Sequence, residues 1–303
     1  MTGASPKISL CMIMCDEEKA LARCLKNAAG AFDELVIVDT GSRDQSLAVA
    51  AAHGAVVVHR DWVDDFSAVR NAGLEFATGD WILILDPDEV LSPHDVPALR
   101  KLALAGDADA FQIPTRNYTN NACLVGFAPN PRDYPEGEGY RGFVESTKVR
   151  LFRNHLGLRF VGVIHELVDL DVDAKGLRGF KASFPIHHWP DAEPLKIGTK
   201  KSFFYLRVAE KKAQLEPENP KAIWELAIAQ YVNGSRLMAL QTMIRAISMA
   251  EPDAEKLFTI GSVLQGCGYK ETARLMIEKA VCKQYPALTH ACEDFRKFPD
   301  LFA

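Results

Sequence analysis

Two carboxylates, Asp86 and Asp88, follow the apolar run 81–85 at a spacing of two residues. Five apolar residues bounded by glycine before and proline after are typical of a buried strand. In an open α/β sheet, ligands bind at the carboxyl ends of the strands. Hard divalent cations take oxygen ligands and share them with substrate phosphates. Residues 86–89 therefore predict either a metal–diphosphate site or a turn in which aspartate caps the next segment.

The elements that would position these carboxylates alternate between strand and helix along the first 115 residues. Apolar runs predict strands at 8–14, 34–39, 55–59, 81–85 and 110–114, with helical periods at 17–29, 45–53, 66–77 and 93–105. Regular βαβ alternation makes neighbouring strands parallel. We therefore predict the α/β class, with a doubly wound, mostly parallel sheet whose rim carries residues 15–18, Asp39 and Asp86.

The loop after the first predicted strand narrows the choice of ligand. It has neither Gly-x-Gly-x-x-Gly nor Gly-x-x-x-x-Gly-Lys, which disfavours a nicotinamide-binding fold and a phosphate loop. A metal and basic side chains must then hold any phosphates. The Gly- and Pro-rich segment 117–142 predicts a long functional loop, and strand-like pieces resume at 148–152, 161–168 and 182–187.

Composition excludes several classes of protein. A net charge of −5 and a pI near 5.9 argue against a nucleic-acid partner. Seven cysteines without a Cys-x-x-Cys pair disfavour a zinc ribbon. No apolar run approaches the roughly 18 residues that span a bilayer, and the run 8–14 is short for a signal peptide. We expect a cytoplasmic protein; peripheral contact at the inner membrane face is a further hypothesis, without a basic amphipathic helix to support it.

From residue 199 the pattern becomes wholly helical. Pro217, Pro252 and Pro286 lie 35 and 34 residues apart, a period that resembles tetratricopeptide repeats. The alternative is a helical cap that only buries sheet surface. We predict two domains, 1–198 for the α/β unit and 199–303 for the helical tail, through which a protein partner could bind.

Five sequence blocks, in order within residues 7–190, resemble glycosyltransferase family 2, in particular its bacterial members with a repeat-containing tail. The blocks are 8–13 with Glu17-Glu18, 38–44, 64–71, 78–89, and 149–154 with 163–166. The resemblance implies a GT-A fold, a nucleotide-sugar donor, a divalent metal (Mn²⁺ or Mg²⁺) and inversion at the anomeric carbon. Among donors, a UDP-sugar is expected first.

The same resemblance implies roles for individual residues. Asp86 and Asp88 would form the Asp-x-Asp metal pair, and Asp86 would also face the donor. A late histidine would complete the metal shell, with His165 and His187 as candidates. Asp39 would contact the uracil or ribose.

Other charged residues are candidates for phosphate binding and proton transfer. Arg70, Arg150 and Arg153 could contact the diphosphate. Glu166 and Glu145 are candidates for the base that takes the acceptor's hydroxyl proton. The family usually has Lys-Asn-Glu-Glu where this chain has Cys-Asp-Glu-Glu at 15–18, so Glu17 borders an altered base pocket. Asp64 and Asp65 are expected to cap the third helix.

The leading hypothesis is a metal-dependent inverting glycosyltransferase that acts on a glycan, a lipid-linked glycan or a peptide. A sugar nucleotidyltransferase is the enzymatic alternative, although that class needs a glycine-rich basic loop after the first strand. A non-catalytic scaffold, in which the helical tail binds a protein, is the alternative from another class. Metal-dependent binding of a nucleoside diphosphate would separate the scaffold from the transferase.

Overall fold

The apolar runs of the first 120 residues form the core strands of a mixed sheet. The protein's structure is a computed structural model, which describes residues 5–122, 124, 126–190 and 199–284. Its strands are β1 (Ile8–Met14), β2 (Glu34–Asp39), β3 (Val56–His59), β4 (Trp81–Ile84), β5 (Glu89–Leu91), β6 (Ala110–Thr119), β7 (Phe127–Pro129), β8 (Gly142–Arg153), β9 (Gly179–Lys181) and β10 (Ile186–His188). Its helices are α1 (Glu18–Asn27), α2 (Ser46–Ala52), α3 (Phe66–Leu74), α4 (Val96–Ala103), α5 (Asp169–Ala174), α6 (Lys200–Leu215), α7 (Pro220–Val232), α8 (Arg236–Met249), α9 (Ala254–Gly266) and α10 (Lys270–Gln284).

The sheet order is β3-β2-β1-β4-β8-β6-β10-β5, with β7 beside β8 and β9 beside β6. The strands from β3 to β4 in this order are all parallel, as the βαβ alternation predicts. The remaining half is mixed, because β8 runs antiparallel to both β4 and β6 while β10 is parallel to β6. The predicted α/β class is confirmed.

Two cores cover the faces of this sheet, as alternation along a strand requires. On one face Leu10 and Leu83 pack with Leu21 of α1 and Leu99 of α4. On the other, residues such as Val38 and Ile82 pack with α3 and with the segment before α5. Doubly covered strands read as continuous apolar runs, which explains why β1, β2 and β4 were recognisable.

The third helix approaches the sheet closely and so delivers Arg70. A Cβ added at Gly73 would lie only 2.9 Å from Val38 Cγ2, so glycine permits this approach. Asp65 caps the helix as predicted, because its Oδ1 accepts the Ala68 N–H at 3.0 Å. Asp64 does not supply that bond; it has a positive φ of 53° and accepts the Trp62 indole N–H at 2.6 Å.

One expectation about the middle of the chain was wrong. Residues 161–168 form no strand, only an isolated bridge between Val161 and Leu167. The segment 117–142 is mostly irregular, as expected of a long loop, although β6 extends to Thr119, the short β7 lies within it and β8 begins at Gly142. The pairing of β7 with β8 joins residues that local composition does not connect.

The chain divides into two compact units, Met1–Ala192 and Glu193–Ala303. The second unit is helical, as predicted: α7 and α9 begin 34 residues apart (220 to 254), as do α8 and α10 (236 to 270). Successive helices pack through small residues, including Ala227 and Ala273, in the manner of a tetratricopeptide-like tail. Pro286 and the predicted boundary's flank, 191–198, lie outside the described residues. Within the described ranges, the helices are too short or too polar to cross a bilayer.

Candidate active site

Hydrogen bonds join the loops after β1 and β2 at the carboxyl ends of the parallel strands, which form one rim of the sheet. Asp16 has a left-handed φ of 58°. Its Oδ1 accepts the backbone N–H groups of Arg43 at 2.6 Å and Asp44 at 3.2 Å. In return, the Asp16 N–H donates to Ser42 Oγ at 3.0 Å. Each loop therefore supplies the hydrogen bonds that the other needs.

Similar hydrogen bonds form at the start of α1. The Glu17 N–H donates to Ser46 Oγ at 2.7 Å, and the Glu18 N–H donates to Asp44 Oδ2 at 3.1 Å. Helix N-termini bind phosphate through free backbone N–H groups. Two N–H groups at this end, those of Glu17 and Glu18, already donate to side chains of the segment after β2.

Asp39 ends β2 at the same rim and is almost completely buried. Its carboxylate accepts the N–H groups of Gly41 at 3.2 Å and Ser42 at 3.1 Å, and His59 Nδ1 lies 3.4 Å from its Oδ2. Gly41 adopts a φ of 113°, a conformation that favours glycine. The structure thus places Asp39 at the rim, where its side chain holds its own loop.

Arg70 joins two carboxylates that are distant in sequence. Its Nη2 donates to Asp86 Oδ1 at 2.5 Å, and its Nε donates to Glu166 Oε1. The guanidinium also lies 5.5 Å from the ring centroid of Phe160. Arg70 is 8% exposed, so these charge-assisted hydrogen bonds form largely out of water.

Arg150 enters the same cluster from β8 through a β-bulge. The β6–β8 register passes from Phe111–Leu151 to Gln112–Val149, which leaves Arg150 without a β6 partner. Bulges re-aim side chains near functional sites. Here the Arg150 guanidinium donates to Glu89 Oε1, and its Nη1 lies 3.8 Å from Asp86 Oδ2.

These pairings set the charge state of the cluster. Burial alone would raise the pKa of Asp86, but the charges of Arg70 and Arg150 outweigh it and hold the pKa well below its usual range. Burial raises the pKa of Glu89, and Arg150 opposes that shift only in part. The charge of Arg150, together with burial, lowers the pKa of nearby Lys148.

Asp88 faces solvent and a histidine. Its side chain is 50% exposed, and its Oδ2 lies 3.3 Å from His188 Nε2. The other nitrogen, His188 Nδ1, is 2.8 Å from Asn117 Oδ1. Burial alone would lower the pKa of His188, but hydrogen bonding and charge from Asp88 raise it.

His187, the predicted metal ligand, is not brought to Asp88. It is fully buried, with Nδ1 2.9 Å from the Tyr118 hydroxyl and its ring 4.6 Å from that of Tyr134. Burial lowers its pKa to about 4. Successive strand residues point to opposite faces, so His188 takes the position that we expected for His187.

The other predicted residues are dispersed. Arg153 is paired in register with Trp81, at the end of β4 that is opposite to the motif 86–89. It donates to the carbonyls of Ala105 and Ala108. It therefore cannot share the diphosphate with Arg150. Glu145 is 43% exposed on β8 and pairs with Lys181 at 3.0 Å.

His165 is exposed, with a positive φ of 55°, and directly precedes Glu166. That places it in the chain segment that meets Arg70.

Sequence reasoning missed Glu89 and His188. Glu89 directly follows the Asp-x-Asp motif, and its type alone, a carboxylate at the start of an apolar strand, was the available signal. His188 was visible only as the neighbour of His187.

The side chains around Asp88 suit a hard or borderline divalent cation. Carboxylate and imidazole are ligands for Mn²⁺, and Mg²⁺ prefers oxygen. In the described part of the chain, no three His, Cys, Asp or Glu side chains form a ready metal cluster. The donor set therefore fits a metal that also needs substrate oxygens, as Mg²⁺ does when it binds through one or two carboxylates and phosphates.

Known proteins with similar sequences include glycosyltransferases. Residues 9–145 match the model of glycosyl transferase family 2. A TPR repeat-containing protein of Synechococcus elongatus is 40% identical over 189 residues, which cover 62% of this chain and 41% of that protein. The glycosyltransferase SunS of Bacillus subtilis is 26% identical, over 72% of this chain and 47% of its own. The chain thus spans less than half the length of these relatives.

Solved structures with similar chains include two complexes with nucleotide sugars. Staphylococcus aureus TarS with UDP-GlcNAc gives a TM-score of 0.48 at 16% identity, covering 90% of this chain and 89% of that one. The mannosyltransferase PcManGT from Pyrobaculum calidifontis with GDP-Man and Mn²⁺ gives 0.44 at 17% identity, covering 93% and 88%.

Residues 9–145 of this chain thus resemble glycosyl transferase family 2, and a helical unit follows them.

Proposed function

We propose that this protein is a metal-dependent, inverting glycosyltransferase that uses a nucleoside-diphosphate sugar. The observation that supports the proposal best is the arrangement around the motif 86–89: Asp88 faces His188, while Asp86 is held between Arg70 and Arg150. A solvent-facing carboxylate–imidazole pair beside two guanidinium groups suits a diphosphate and a divalent cation together.

Asp88 and His188 would hold the metal, and Asp86 would fix the loop through its arginines. A divalent metal supplies Lewis-acid stabilisation for the negative charge that develops on the leaving diphosphate. Arg70 and Arg150 would orient the diphosphate and share that charge. Both already point at Asp86, so their positions are set before the donor binds, which lowers the reorganisation needed in the transition state.

The transfer itself is a direct displacement at the anomeric carbon. The acceptor hydroxyl oxygen bonds to that carbon, the bond to the β-phosphate oxygen breaks, and the nucleoside diphosphate leaves. A carboxylate must take the hydroxyl proton within hydrogen-bond reach. Glu166 is the better candidate, because Arg70 ties it to Asp86. Glu145 pairs with Lys181 instead.

The donor base and the acceptor belong to the same proposal. Asp39 and the loop after β1, which contains Glu17, would border the base. A UDP-sugar is the first donor to test. The acceptor would be a glycan, a lipid-linked glycan or a peptide, and the tail could add a protein partner. A sugar nucleotidyltransferase is disfavoured, since the segment after β1 lacks the glycine-rich basic loop that this class needs.

Thermal-shift titration with UDP, GDP and their sugars, with and without Mn²⁺ or Mg²⁺, tests the proposal. A ligand that binds only the folded state stabilises it by about 2.7 kcal/mol at a hundred times its dissociation constant. We expect a metal-dependent shift with one nucleotide, lost in Asp88→Asn. Asp109→Asn is the matched control, because Asp109 pairs with Arg178 at the other edge of the sheet. No shift with any nucleotide would favour the scaffold.

A further inference from the structure

A buried carboxylate, Glu89, lies directly beneath the metal-binding loop. It begins β5 and is 4% exposed. Its Oε2 accepts the Asp86 N–H at 2.9 Å, while its own N–H donates to the Asp86 carbonyl at 3.0 Å. Side chain and backbone of one residue thus close the turn that presents Asp88.

The second oxygen of Glu89 engages Arg150. The Arg150 guanidinium donates to Glu89 Oε1 through Nη2, and its Nη1 is 3.8 Å from Asp86 Oδ2. Arg150 is 1% exposed, and its Nε is buried without a hydrogen-bond partner among the described residues. One buried guanidinium is therefore divided between two carboxylates, and Glu89 holds the nearer end.

Glu89 also sets the position of His188 through the backbone. In the antiparallel pairing of β5 with β10, Glu89 lies opposite His188, and Val90 lies opposite His187. His188 in turn lies 3.3 Å from Asp88. The groups that would bind the metal are thus anchored on both sides by the same residue.

We propose that Glu89 is a positioning residue for donor binding: its charge keeps Arg150 from closing on the Asp86 carboxylate, and its Oε2 fixes the Asp86 amide. Asp88 and His188 are then left facing the diphosphate and its metal. This inference rests on the proposed function. A residue with only a structural role would change stability and leave the metal requirement of nucleotide binding unchanged.

The test is the Mn²⁺ concentration that half-saturates binding of UDP or GDP, measured by calorimetry on the full chain. Glu89→Gln keeps an acceptor for the Asp86 N–H and removes the charge. Arg150 should then close on Asp86, and the half-saturating Mn²⁺ concentration should rise by about tenfold, the lower range for losing a partner of a metal ligand.

Glu34→Gln is the matched control. Glu34 starts β2 at the opposite rim, where it accepts the Thr78 N–H at 2.7 Å and the Thr78 hydroxyl at 2.8 Å. This variant should lower the thermal midpoint while its half-saturating Mn²⁺ concentration stays within about twofold of wild type, a difference of roughly 0.4 kcal/mol.

Two outcomes would overturn the inference. The first is a Glu89→Gln variant that needs no more Mn²⁺ than wild type. The second concerns Glu89→Asp, which keeps the negative charge and also serves if Glu89→Gln fails to fold. Its half-saturating Mn²⁺ concentration should stay within about threefold of wild type, and a defect of about tenfold, equal to that of Glu89→Gln, would contradict the role of the charge. Failure of wild type to bind either nucleotide would instead reject the proposed function.

Discussion

Two arginines near the carboxyl end of β8 lie in different surroundings. Arg150 is bulged out of the β6 register and enters a buried carboxylate cluster. Arg153, three residues later, is 32% exposed, lies 4.7 Å over the Trp81 ring and donates to two backbone carbonyls. The direction of β8 and its bulge, and not the residue type, therefore decide which arginine contacts the motif 86–89.

The largest effect should follow removal of the cation that joins this cluster. In Arg70→Gln, Asp86 and Glu166 lose a common buried partner, and breaking such a pair costs about 3–5 kcal/mol. Urea unfolding at pH 7 measures this loss. A cost below about 1 kcal/mol, typical of an exposed pair, would show that the cluster is not an internal ion network.

The pH dependence of the same variant sharpens the point. A carboxyl whose pKa is depressed in the folded state stabilises it above the unfolded pKa, and that stability is lost as the pH falls through the folded pKa. Since the pKa of Asp86 is depressed, the gap between wild type and Arg70→Gln should be full at pH 7. It should narrow below about pH 4, the unfolded aspartate value. A gap that widens with acid would contradict this assignment.

The comparison itself predicts a smaller loss for Arg150. Arg150→Gln leaves Glu89 buried without its cation, at a cost of about 3 kcal/mol, although Asp86 keeps Arg70. Chemical denaturation gives the stability, and the nucleotide titration gives binding, which should weaken. Unchanged nucleotide binding in this variant would separate the buried pair from the donor site.

A steric change in the tail should cost less and leave nucleotide binding intact. A Cβ at Gly261 would meet Ile277 Cγ1 at 2.6 Å and the Ala273 carbonyl at 3.0 Å. Overpacking costs about 1–3 kcal/mol, and alanine regains up to about 1 kcal/mol of helix propensity. Gly261→Ala should therefore lower stability by about 1 kcal/mol. Gly266→Ala is the control, because its nearest neighbour is 3.9 Å away; equal losses would refute the steric account.

The smallest effect is expected at the exposed end of β8. Arg153→Gln loses a partly exposed cation–π contact worth about 0.5–1 kcal/mol, and its polar contacts face water that screens them. The thermal midpoint should fall slightly, and nucleotide binding should match wild type. A nucleotide defect here as large as that of Arg150→Gln would erase the distinction between the two arginines.

The residues show how far sequence predicts this site. Asp39, Asp86 and Asp88 were placed at one rim correctly, because continuous apolar strands and short βα loops carry parallel topology in local signals. Arg153 was misplaced because the antiparallel direction of β8 is set by pairing with β4 and β6.

The choice between His187 and His188 depends on a different signal. A shift of one residue turns a strand's side chains to the other face. The apolar run before these two residues does not indicate whether His187 or His188 is directed toward Asp88. Tyr118 and Tyr134, which enclose His187, come from segments more than 50 residues away.

The hydrogen bonds between the loops after β1 and β2 also limit how the protein can be engineered. Asp16 supports the backbone of Arg43 and Asp44, while Ser42 and Ser46 support the backbone of Asp16 and Glu17. A chimaera that takes only one loop from a homologue would leave the polar groups of the other loop without their hydrogen-bond partners. We therefore expect a chimaera with a homologue to keep this rim intact when both loops are exchanged as one cassette.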